Sequence, residues 1–223
     1  MRLFVVLVGY AVALQAQGDK PAPDWSAIDR QLDTLRAAVE GRDINAARKS
    51  SDDLLRAIST EYQKQVPSAA DYLRQSEERA AANPRFRPVA LPSLAALAAQ
   101  AADWNKARAY ALEALATESP VYDTVHLANN VLGLVALHNG DVASAETHLL
   151  AAGRTKGTSR MKRWGPTMAL AKELLDKGRN DVVLEYLQLC RNFVTENPKL
   201  DVWIATLKGG RAPDLFGVYL WEQ

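Results

Sequence analysis

NVLGLVALHNGDVASAETHLLAAG, residues 130 to 153, reads as two amphipathic helices joined by one Asn-Gly-Asp turn. Leu132, Gly133 and Ala136 before the turn, with Ala145, Leu149 and Ala152 after it, are small or apolar residues spaced so that two helices can approach closely. The same design recurs outward from this stretch. Upstream, Leu94, Leu97 and Ala98 precede the turn AADWNKA, and Ala107, Ala111, Ala114 and Leu115 follow it. Downstream, Gly178 supplies a turn inside MALAKELLDKGRNDVVLEYLQLCRNFV. Ala107, Ala145 and Val183, which follow the three turns, stand at equal intervals of 38 residues. An equal period across two intervals marks an internal repeat.

Residues 132, 133, 136, 140, 145, 149 and 152 carry a pattern that resembles the tetratricopeptide repeat. Ala136 and Leu149 stand where that family usually has aromatics, Gly157 stands near its closing proline, and the period exceeds the usual ~34 residues. The resemblance implies an all-α, right-handed solenoid of helix-turn-helix hairpins. It also implies a concave surface, made by the first helix of each hairpin, that holds an extended peptide or a helix. The block from WGPTMALAKELL to APDLFG is similar to the C-terminal part of exported bacterial helical-repeat proteins, a likeness that carries no reaction or ligand.

The N-terminus points to export. Residues 1 to 16 have a charge at Arg2, an apolar run from Leu3 to Leu14, and small or polar residues up to Ala16. A run of 12 residues falls short of the ~20 needed to span a bilayer, so a cleaved signal peptide is expected rather than a retained anchor. Residues 17 to 24, with two prolines and little to bury, read as a flexible tether. Residues 25 to 83 read as a helical hairpin, capped at Asp43 and forming a divergent first repeat, plus one extra helix. Residues 84 to 92, with Pro84, Pro88 and Pro92, read as a linker. Residues 93 to 207 hold the repeats and a capping helix, and Gly165-Pro166 opens the third unit with its proline in a first helical turn. Residues 208 to 223 form an apolar tail that covers the last unit or, alternatively, mediates self-association.

The chain has 223 residues, 48% of them hydrophobic, enough to bury a core. Without residues 1 to 16 it carries 26 basic and 26 acidic residues, a balance that gives no footing for nucleic acid. The single Cys190 forms no internal disulfide and falls on a position for a small buried residue.

Chemistry-bearing residues are sparse. His126, His138 and His148 lie 12 and 10 residues apart, without the spacing of a metal site. Gly157-Thr158-Ser159 lacks the preceding strand of a nucleophile elbow, and Glu113, Glu118, Glu146 and Glu185 sit on solvated helix faces. No catalytic residue, cofactor or metal is therefore expected. The expected partner surface comprises Asn130, Leu134, Leu137 and His138 with Met168, Lys172 and Asp176, on the first helices of two units. Family members that grip a C-terminal carboxylate use Lys, Arg and Asn on neighbouring first helices, and only Asn130 and Lys172 are available here. A basic loop of Arg154, Lys156, Arg160, Lys162 and Arg163 is a candidate anion site, or else a solvated connection.

The reading is thus an exported, periplasmic or extracellular, non-catalytic scaffold for a protein or peptide partner, with no stable membrane span. The alternatives are a small-ligand-binding or enzymatic envelope protein, with a pocket between the N-terminal helices and the main array, and a structural component that self-associates through its tail.

Overall fold

The structure, a computed structural model, describes residues 25–117 and 123–215. The expected signal peptide and tether, and the expected tail beyond Leu215, lie outside the described residues. The chain falls into two compact units, one ending at Ser68 and one starting at Ala69. Eleven helices and no strand occur among the described residues, so the all-α class stands. No described helix is long and apolar enough to cross a membrane.

The first unit is one hairpin of α1 (Trp25–Glu40) and α2 (Ile44–Gln65), with Ile28 and Leu54 buried. The second unit opens with α3 (Ala69–Ala82), followed by the hairpins α4 (Arg87–Gln100) with α5 (Trp104–Ala116) and α6 (Thr124–His138) with α7 (Val142–Gly153). A short α8 (Ser159–Trp164) leads to the third hairpin, α9 (Ala169–Asp176) with α10 (Asn180–Cys190), and α11 (Lys199–Lys208) packs on α10. Hairpins also meet their neighbours: α4 packs on α6, α6 on α9, α5 on α6, and α7 on both α9 and α10.

One turn closes all four hairpins. Arg42, Ala102, Gly140 and Gly178 adopt positive φ of 53°, 57°, 79° and 73°, each immediately before the N-cap residue of the second helix. The next amide donates back to the first helix in every case: Asp43 to Ala38 O, Asp103 to Ala98 O, Asp141 to Ala136 O and Arg179 to Leu174 O, at 2.8–3.1 Å. This satisfies carbonyls that a helix end leaves without partners. The side chains of Asp43, Asp103 and Asp141 then accept from the amides of Ala46, Lys106 and Ser144. Arg179 makes no such cap; its Nε instead donates to Glu146 on α7. Four residues into each second helix of the larger unit stand Ala107, Ala145 and Val183, all fully buried.

Small residues set the interhelical distances. A Cβ at Gly133 on α6 would lie 2.2 Å from Cδ2 of the fully buried Leu170 on α9, so the close approach of these two helices depends on glycine.

Several expectations change. Residues 84 to 92 are not a linker, since α4 begins at Arg87 and runs through Pro92. Pro88 sits in the first turn, where a missing amide hydrogen costs nothing, whereas the buried Pro92 lies inside the helix, where the bond to Pro88 O is lost and the ring crowds that carbonyl, a cost that its burial offsets. The extra helix α3 does not go with the N-terminal hairpin. It packs on α4, burying Leu73 and Ala80, and Glu77 accepts from Lys106 Nζ (2.8 Å) and Tyr110 Oη (2.6 Å) on α5. Burial raises the Glu77 pKa, but these two donors outweigh it and hold the carboxyl below its ordinary range. Pro166 does not open a helix; α9 starts at Ala169, after Met168. The basic loop contains α8, whose N-cap Thr158 accepts from the Met161 amide and whose Met161 is fully buried.

The shared turn makes a two-sided prediction. Ala102 adopts a left-handed conformation that disfavours a Cβ, so Ala102→Gly should stabilise the chain by about 0.5 kcal/mol, strain relief of ~1 kcal/mol less the added unfolded-state entropy. Gly140→Ala should destabilise it by about 1 kcal/mol. Urea midpoints that moved in the same direction for both variants would contradict this account.

Candidate functional site

Ala96 on α4, Leu134 on α6 and Lys172 on α9 line one cavity of about 350 Å³. These three residues are 38 apart, the repeat interval. The cavity is thus built by one position from each of three successive first helices. Ala99, Val131 and Met168 complete its apolar floor, and Trp104, the first residue of α5, forms a wall. Gln100, Lys172 and Glu173 supply the polar groups, and Leu215 enters from the chain beyond α11.

The predicted partner residues divide. Leu134, Met168 and Lys172 line this groove, although Met168 is almost completely covered. Asp176 stands exposed one turn beyond and pairs with Lys172 at 3.3 Å. An exposed i,i+4 pair of that kind contributes little stability. His138 lies beside the groove, stacked on Trp104 with ring centroids 4.5 Å apart. Leu137 is partly buried and packs against the core of the α7–α11 end. Asn130 faces the interior rather than the groove: its Nδ2 donates to His126 O at 3.1 Å and lies 3.2 Å from His126 Nε2. The polar character that suggested a surface role is used by a buried histidine.

Ala96, Ala99, Gln100 and Trp104, with Val131, Ala169, Glu173 and Leu215, line the groove but are not among the expected residues. The signal for two of them was present, because subtracting the 38-residue period from Leu134 and His138 gives Ala96 and Gln100. Reading Pro88 and Pro92 as a linker shortened the helix that carries them.

Two cations of the basic stretch meet acids. Arg163 Nε donates to Glu196 at 3.4 Å, and Arg160 acts electrostatically on Asp123. Arg154 is the C-cap of α7, Lys156 lies in the connection that follows, and Lys162 is on α8.

The three histidines diverge. His126 is buried, with Nδ1 3.1 Å from Ala152 O and the amide of Asn130 on the other ring nitrogen, which places its proton on Nδ1. His148 Nδ1 is 2.9 Å from Asn129 Oδ1, and His138 meets Trp104. No group of three or more metal-binding side chains occurs among the described residues. Cys190 is buried, and burial pushes its thiol up to about 12, which keeps it protonated and unreactive at neutral pH.

Burial lowers the His126 pKa to about 4, against the carbonyls of Ala152 and Thr167, which favour the charged ring. The folded chain therefore holds this imidazole neutral. Its contribution is fully present above about pH 6.5 and is lost as pH falls from there toward 4, by about 3 kcal/mol in total. His148, also lowered by burial, acts in the same direction, whereas Asp123, raised by burial, binds its proton earlier in the folded state and opposes the loss. In His126→Gln the loss of stability between pH 6.5 and 4 should be flatter by most of that amount, read from urea midpoints across the range. Equal slopes for parent and variant would remove His126 from the account.

Compared with protein families, with curated proteins and with solved structures, the chain has no match in any of the three.

Proposed function

We propose that this chain is a tetratricopeptide-like, right-handed α-solenoid, exported to the cell envelope or beyond, that serves as a non-catalytic scaffold and binds a short apolar segment of a protein partner across its first helices. The observation that carries the reading is the alignment of Ala96, Leu134 and Lys172, one repeat interval apart, along a single groove. A groove built from the same position of consecutive units has the periodicity of an extended chain or a helix laid across them. Its chemistry agrees: an apolar floor gives affinity through buried area, and Gln100, Lys172 and Glu173 at the edge give orientation. The common turn of all four hairpins supports the repeat reading, and the contacts of α4 with α6 and of α6 with α9 support a stack of units. The apolar stretch after Arg2 supports export.

The test uses the chain from residue 17 onward and a displayed library of random ten-residue peptides. Selection should enrich peptides with several apolar side chains, and a variant carrying Leu134→Glu and Lys172→Glu should bind the enriched peptides at least tenfold more weakly with unchanged helical circular dichroism. Enriched peptides that bind parent and variant equally would place the working surface elsewhere.

A further inference from the structure

We propose that the first unit is a dimerisation module, in which one side of the α1–α2 hairpin closes face to face on the same side of a second copy. This surface is built from residues other than those of the groove, and the proposal does not depend on the groove reading.

The hairpin has little interior of its own. Among its described residues only Ile28 and Leu54 are buried apolar side chains. A unit of about 40 residues with so small a core ordinarily needs a further source of stability, such as oligomerisation. Its other large apolar side chains stand in solvent. On α1, Trp25, Leu32 and Val39 recur at seven-residue intervals and are exposed. On α2, Ile44, Leu55 and Tyr62 are exposed, Ile44 by 82%.

These six residues share one side of the hairpin. On α1 the more covered residues Ile28, Gln31, Leu35 and Ala38 face α2, and on α2 Ser50, Leu54, Ala57 and Glu61 face α1. At 3.6 residues per turn, each exposed stripe lies about a quarter turn round its helix from that contact, in the same rotational sense. The two helices run antiparallel, so equal rotations bring both stripes to the same side. Single exposed apolar residues are ordinary, whereas a continuous patch of this kind marks an interaction site.

The edges of the patch select a second copy as its occupant. Beside the stripe of α1 stand the exposed Asp29, Asp33, Arg36 and Glu40, a net acidic edge, and beside the stripe of α2 stand the exposed Arg48, Asp52 and Arg56, a net basic one. A two-fold axis parallel to the helices lays α1 of one protomer antiparallel on α2 of its partner, so each acidic edge meets a basic edge. Counting back from Glu40 and forward from Ile44, Asp29 comes level with the partner's Leu55 and adjoins the partner's Arg56. Glu40 lies one turn from the partner's Arg48, and Arg36 one turn from the partner's Asp52. The alternative two-fold sets α1 on α1 and α2 on α2, acid against acid and base against base, which disfavours it. The size also suits a reversible dimer. α1 has 16 residues. A face about 24 Å long and about 20 Å wide, two helix diameters, therefore gives a pair of faces burying about 1,000 Å² in total, at the lower end of specific interfaces. The product is an antiparallel four-helix bundle whose core contains both apolar stripes.

The test is sedimentation equilibrium of the chain from residue 17 onward, from about 1 to about 100 μM. The parent should pass from one chain to two across that range. Leu32→Glu with Leu55→Glu should weaken association at least tenfold. A second set of variants leaves the apolar side intact and so tests the arrangement even where the glutamates disturb the hairpin. Asp29→Arg with Glu40→Arg should weaken the dimer at least tenfold, and adding Arg48→Glu with Arg56→Glu should restore it. Peptide binding by the groove should be unchanged in all of these variants, so the two readings fail separately. A parent that stays monomeric throughout would overturn the proposal, as would a dimer that persists unchanged in every hairpin variant. A dimer lost only when the chain is ended at Leu215 would assign association to the tail and overturn it as well.

Discussion

A residue held at positive φ, followed at once by the N-cap of the next helix, is the constraint on which the rest of this structure depends. At Arg42, Ala102, Gly140 and Gly178 the chain reverses through one left-handed residue, and the next amide returns to a carbonyl of the helix just ended. Because the reversal is the same each time, the residues facing inward on the second helix are set relative to those on the first. Ala107, Ala145 and Val183 come to the same fully buried place in three units. Two of the four positions are not glycine, so the turn survives an unfavourable backbone energy of ~1–2 kcal/mol at Arg42 and Ala102. The hairpin contact therefore outweighs local preference, as tertiary packing commonly does.

Small side chains turn that constraint into close packing between neighbouring hairpins of the larger unit. Gly133 and Leu170 show the limit, since no Cβ fits between α6 and α9 without displacing a buried leucine. Ala107, Ala111 and Ala114 play the same part on α5, each with no exposed surface. Close packing of this kind rests on dispersion summed over many contacts rather than on any strong bond. The ion pairs are correspondingly peripheral: Arg87 with Glu113, Arg163 with Glu196 and Arg191 with Asp201 are all substantially exposed and fix orientation more than they stabilise.

Much of this was legible, and the misreadings have physical causes. The 38-residue spacing, the Asp43 cap and the burial of Cys190 follow from periodicity and turn chemistry, which are local. Prolines misled twice. Pro88 and Pro92 suggested a break but sit where α4 tolerates them, and Pro166 suggested a helix start but precedes it, in a segment where Thr167 O accepts from the buried Tyr186 hydroxyl. Whether a proline breaks or begins a helix depends on its offset from a boundary that propensity alone does not fix. Asn130 was misplaced because a polar residue on an amphipathic helix is ordinarily exposed, and only the three-dimensional structure shows that His126 needs its amide. Leu215 could not have been assigned to the groove from sequence, because its neighbours there lie more than forty residues away.

The buried His126 and Asn130 clarify why the groove can be apolar and still well defined. Asn130 sits one turn before Leu134 on the same helix and points inward, and His126 ties α6 to the Ala152 carbonyl at the end of α7. A neutral imidazole with both nitrogens engaged is directional in a way that leucine packing is not, so it favours one rotation of α6 over its neighbours. That rotation decides which residues of α6 face the groove. With His126 and Asn130 turned inward, Val131 and Leu134 are left to line it, in register with Ala96 on one side and Lys172 on the other. The fully buried His126 thus shapes the groove without lining it: it holds the middle helix of three at the angle that makes a continuous surface.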